Sequence, residues 1–130
     1  MTDADAARYL ESYFYTNWTA TEKFFNEVPD KPTIGTEFAS FWVIPAMTYQ
    51  TGLGGSPEYR ANCIVQIDIN VPSRTGTRRA IELGDQVSEL FLGKQIDGIT
   101  VRDKSARTLE VGSFYRRVVS FNCYYDYTSS

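Results

Sequence analysis

Histidine is absent from the 130 residues, and that narrows the available chemistry at once. Ser-His and Cys-His nucleophile pairs are removed, together with the commonest general base near neutral pH. Carboxylate or lysine chemistry remains, with Asp68 and Glu82 as the candidates. Neither belongs to an evident paired acid-base constellation. Cys63 and Cys123 each fall on the apolar face of a predicted strand, the placement of buried thiols. A disulfide between them would need neighbouring strands of suitable geometry. With no CxxC and no histidine, a structural zinc site is not expected. No P-loop, dinucleotide glycine fingerprint or EF-hand loop is present. The chemistry-bearing residues therefore predict neither enzyme nor cofactor nor metal, and the chain has to be read as an architecture.

The clearest architectural signal is Tyr59–Val71. Ala61, Cys63, Val65, Ile67, Ile69 and Val71 alternate with Arg60, Asn62, Gln66, Asp68 and Asn70, and Ile64 alone breaks the pattern. Strand side chains alternate faces, so this predicts a strand with one dry and one wet side. Helices are expected at both flanks. Thr2 and Asp5 stand in capping-box relation ahead of the stripe Ala7, Leu10, Phe14 and Trp18. Tyr9, Tyr13 and Tyr15 widen that stripe, as subunit contacts or as amphipathic surface. A second helix over Thr77–Leu92 carries Ala80, Leu83, Gly84, Val87, Leu90 and Phe91 inward, with Gly93 as its stop.

Between them, Thr19–Glu37 reads as irregular, interrupted by Pro29, Pro32 and Gly35, with Phe24 and Phe25 anchoring it. Phe38–Tyr49 reads as a strand that Pro45 makes either an edge or a bulge. Ile96–Arg102 and Ala106–Val111 read as a hairpin whose tip carries Arg102, Lys104 and Arg107. Phe114–Tyr127 is the last strand. The predicted order, α-β-β-α-β-β-β, is a single α+β domain: a mostly antiparallel sheet with two main helices on one face.

Composition adds boundaries. Residues 1–58 hold 8 acids and 3 bases (−5), and residues 59–130 hold 8 acids and 10 bases (+2), which sum to the net −3. That lacks the basic excess of a nucleic-acid binder. No apolar run approaches the roughly 20 residues that span a membrane. The acidic, polar start MTDADAAR is unlike a secretory signal, so a cytoplasmic site of synthesis is expected.

Surface candidates are then few. Gln50, Leu53, Gly54 and Gly55 belong to a glycine-rich loop. It leads into a strand, not into the helix N-terminus that a phosphate cradle requires. Arg74, Arg78 and Arg79 cluster at the start of the second helix, the end a helix dipole would keep negative. A solvated face and a charged partner contact both fit that cluster.

The order of parts carries a resemblance. Gln50–Gly55 (Q-x-G-L-G-G) precedes the long alternating strand, and Val71–Thr77 (V-P-x-x-T-G-T) leads into a helix ending Leu90-Phe91. Gly98–Arg102 (G-I-T-V-R) precedes an aromatic-rich final strand. Over nearly the whole chain, most clearly residues 40–127, this resembles the tail terminator proteins of long-tailed bacteriophages, the lambda-type minor tail protein U family. None of the motifs is catalytic. The resemblance implies a non-enzymatic, cofactor-free virion protein, assembled in the host bacterial cytoplasm. It would form a homo-hexameric ring on the tail tube protein, stop tube growth and present a surface to head completion or connector proteins. DNA would pass through the lumen without specific binding. Gln50, Leu53, Gly54, Gly55, Arg78, Arg79, Arg102, Lys104 and Arg107 are the expected contact residues, chosen by expected exposure. Another neck or tail-tube component is the nearest alternative. A cytosolic α+β domain that binds a small ligand is a more distant one.

Overall fold

The computed structural model describes residues 1–27, 37–52 and 57–128. Its elements are α1 (Asp3–Asn17), β1 (Glu22–Phe25), β2 (Phe38–Gln50), β3 (Glu58–Pro72), a 3-10 turn (Ser73–Thr75), α2 (Thr77–Phe91), β4 (Gln95–Ile96), β5 (Ile99–Val111) and β6 (Phe114–Thr128). The six strands form one sheet in the order β1-β2-β3-β6-β5-β4. Among the described residues only β1 and β2 run parallel; every other pairing is antiparallel. The architecture is the expected α+β arrangement.

Local chemistry explains the helix ends. Thr2 Oγ1 accepts from the Asp5 amide at 3.1 Å while the Asp5 carboxylate accepts from the Thr2 amide at 3.1 Å. These two bonds satisfy amides that a helix start leaves unpaired, and they hold the Asp5 carboxyl below its ordinary range. α2 starts after Gly76 with no side-chain cap and stops where Gly93 takes φ +73°. That is the left-handed turn a β-carbon disfavours.

Both helices cover one face of the sheet. Ala6, Leu10 and Phe14 of α1 and Trp18, which caps its end, are buried, as are Ala80, Leu83, Gly84, Val87 and Phe91 of α2. They meet the inward rows Phe41, Ile67, Val119 and Phe121 in one core. Phe14 stacks on Phe41 at 4.7 Å and faces Trp18, Phe25 and Phe91 within 6.2 Å. The extra tyrosines divide. Tyr13 donates its hydroxyl to the Leu90 carbonyl at 2.7 Å and sits edge-on to Phe91, tying the two helices together. Tyr15 is 66% exposed.

Three expectations are corrected. The stretch read as irregular contains β1, which adds parallel to the start of β2. Phe25 joins the core and Phe24 packs on Phe38 across the sheet. The supposed hairpin at Asp103–Ser105 does not exist, because β5 runs unbroken through it. The chain turns instead at Asp97-Gly98 and at Gly112, each with positive φ, and the 103–105 region holds only a register shift between Val101 and Lys104. Third, Asp68 and Asn70 are not wet: they are 5% and 1% exposed. Pro45 behaves as expected, standing at a register shift in a strand that has become an edge.

Phe14 is the ring on which the helices and sheet converge, so Phe14→Ala should cost about 3–5 kcal/mol. Chemical denaturation with an unchanged slope would check this.

Candidate assembly surfaces

The sheet face opposite the helices is polar and aromatic. Successive ladder rows across it read Phe38, Asn70, Arg116, Leu109; then Ser40, Asp68, Val118, Arg107; then Trp42, Gln66, Ser120, Ser105. Farther along, Arg60 forms a two-pronged bond with Asp126 (2.8 and 3.1 Å). Its guanidinium also lies 3.9 Å over the Tyr124 ring, which Arg102 approaches at 5.5 Å. The pairing depresses the Asp126 carboxyl. This half of the face is an ordered patch, preset by arginine on aromatic rings.

The other half holds a buried polar cluster. Asp68 is pushed above the ordinary carboxylate range by burial, against the opposing pull of the Gln66 amide, Arg116 and Arg107. Gln66 donates to it at 3.2 Å, Arg116 donates to Asn70 at 2.8 Å, and the Ser40 hydroxyl, buried beside it, has no hydrogen-bond partner among the described residues. Among the described residues no acid or base is hydrogen-bonded to this desolvated carboxylate, and alone it does not make an acid-base pair. Among the described residues no group of three or more His, Cys, Asp or Glu could hold a metal ion.

The expected contact residues do not converge. Gln50 ends β2, exposed, its amide donating to the Gly52 carbonyl at 2.6 Å. Leu53, Gly54 and Gly55 lie outside the described residues. Arg78 is exposed at the start of α2. Its neighbour Arg79 is engaged within the chain, donating to both Glu37 oxygens at 2.7 and 3.0 Å. That pair pins α2 to the entry of β2. Arg102, Lys104 and Arg107 are exposed along β5, at the far side of the sheet from β2, and not on a hairpin tip. Cys63 and Cys123 are direct cross-strand neighbours, both buried as free thiols.

Exposed apolar side chains on the edge strands were missed from sequence. Ile44 (42%), Met47 (72%) and Tyr49 (44%) stand out on β2, and Leu109 (39%) and Val111 (37%) on β5. One signal was available: residues 38–57 contain no charged side chain at all.

No family model matches the chain, and no curated protein does either. A solved structure of a protein without a functional description is similar to it, with a TM-score of 0.61 at 19% identity, over 98% of this chain and 96% of that one. At that identity the likeness shows the α+β fold alone.

Burial raises the Asp68 pKa, so the folded state holds this proton more tightly than the unfolded chain does. Stability from this group is present below the unfolded value near pH 4 and is lost as pH rises through the folded one. Asp68→Asn should therefore raise the thermal midpoint at pH 7, with the gain shrinking toward pH 4. Equal midpoint shifts at both pH values would contradict it.

Proposed function

We propose that this chain is a tail terminator of a long-tailed bacteriophage, a non-enzymatic protein that forms a ring on the end of the tail tube and stops its growth. The observation that carries this reading is the pair of different exposed edges on opposite sides of one sheet. A ring of identical subunits needs two unlike surfaces per copy, so that each contact repeats head to tail until it closes. β2 supplies an uncharged apolar edge, and β5 a basic one with Arg102, Lys104 and Arg107. The order of sequence motifs favours the same family. The partners in this reading are further copies of the chain, the tail tube protein and a head-side connector. DNA crosses the lumen without being gripped, in keeping with the net charge of −3. The location is the neck-proximal end of the tail.

A tube component built on the same fold is the second reading, because two unlike edges also serve a stacked ring. Negative-stain microscopy of the purified protein, alone and with tail tube protein, separates the two. Rings that cap tube ends fit the terminator, whereas long tubes from the purified chain alone fit the alternative. A strict monomer that binds no tube would sink both.

Arg78 is the clean charge to reverse, since reversing Arg79 would set an acid against Glu37 and disturb the fold. Arg78→Glu should weaken tube or ring binding about tenfold with the melting temperature unchanged, as measured by co-sedimentation. Unaltered binding would move the axial contact away from the start of α2.

A further inference from the structure

The two side edges of the sheet are covered at opposite ends. β1 lies along β2 only from Phe38 to Phe41, and β4 lies along β5 only at Ile99 and Thr100. Among the described residues, β2 from Trp42 to Gln50 and β5 from Arg102 to Val111 have no strand on their outer sides. The ladder puts Trp42 level with Gln66, Ser120 and Ser105. From that level the open run of β2 extends one way along the strands, and most of the open run of β5 extends the other.

Among the described residues nine large apolar side chains are exposed, and five of them (Ile44, Met47, Tyr49, Leu109 and Val111) lie on these two open runs. The others, Met1, Tyr15, Ile81 and Leu92, are spread over the helices and the N-terminus. We propose that β2 of one copy pairs with β5 of the next copy of this chain, antiparallel, with Ile44 opposite Leu109 and Trp42 opposite Val111. This names the subunit contact of the ring proposed above and rests on that reading.

Three features select this pairing. First, Trp42 and Ile44 project from the helix-free face, level with Gln66 and Ile64, and Leu109 and Val111 project from the same face, level with Arg116 and Phe114. One register therefore matches both apolar pairs on one side, as cross-strand neighbours require. Second, β2 and β5 run in opposite directions within the sheet. A copy related by rotation about a ring axis keeps its strand directions, so its β2 meets β5 antiparallel. Third, pairing β5 with another β5 would oppose Arg102, Lys104 and Arg107 with like charges. The uncharged β2 run avoids this. Pro45 has no amide to donate, and both strands carry a register shift; these confine the contact to a short ladder. Such devices keep an edge ladder short and guard against open-ended pairing.

The size of the contact sets its strength. Nine strand residues extend about 30 Å, so the strip covers on the order of 400 Å² per copy, about half of what stable complexes bury. Free chains should thus associate weakly, and the contact should show at high concentration or on a template.

The test uses single variants Ile44→Cys and Leu109→Cys of the whole chain, mixed at about 1 mM under mild oxidation. The native thiols are buried and out of reach. A covalent dimer is expected in the mixture at least about tenfold above either variant alone, and the double variant should give a ladder of larger species. Met47→Lys added to both sets a like charge against the basic edge and should reduce the product about tenfold without changing the melting temperature. No product in the mixture, or as much from Ile44→Cys alone, would overturn this contact. Rings on tube ends without the cross-link would reject the contact and keep the terminator reading. The cross-link without tube capping would keep the contact and reject that reading.

Discussion

Every other part of the molecule hangs on the ladder between β3 and β6, which runs without a shift from Glu58 opposite Thr128 to Pro72 opposite Phe114. It is the one pairing with no bulge and no partial end. A ladder of that length fixes register strongly, because a slip by one residue would turn every apolar side chain to the wrong face. The buried row Ala61, Cys63, Val65, Ile67 and Ile69 is set by it, and so is the face that α1 and α2 must cover.

The two sides of this central pair then do different work. On the helix side, packing is dense and aromatic, and Gly84 permits the approach: a β-carbon there would lie 3.0 Å from Arg117 Cγ. On the open side, polar groups are held in place by one another, and some of them are buried at a cost. Asp68 and Ser40 lie in a strand interior where hydration is lost and pairing is incomplete. The outer strands β2 and β5 inherit their positions from the centre but outrun the short strands that flank them.

Legibility in the sequence followed the range of the forces involved. Both helices and the three strands of strongest alternation were readable to within a residue or two, since capping and periodicity are local. β1 was not, because four residues that pair in parallel with β2 carry no periodic signal of their own. The false hairpin arose from reading Asp103–Ser105 as a turn. A cluster of polar residues on an open edge looks locally like one, and only the ladder with β6 distinguishes them. Arg79 was read as a partner contact because its ion pair with Glu37 spans 42 residues, a distance no local pattern reports. The apolar character of Ile44, Met47 and Tyr49 was visible, but their exposure was not, since exposure depends on where β1 stops.

The diagonal offset of the two open edges has a geometric consequence. With Ile44 level with Ile64, and Leu109 level with Asn70 through Arg116, joining them shifts each successive copy by six residues along the strands. That is about 20 Å at 3.3 Å per residue, against a lateral step of about 19 Å for four strands. Subunits that meet this way without climbing must lean, with strands inclined near 45° to the central axis, at the upper end of the tilt found in closed sheets. The lean exchanges rise for circumference: two residues more or less of offset would turn a flat washer into the first turn of a screw.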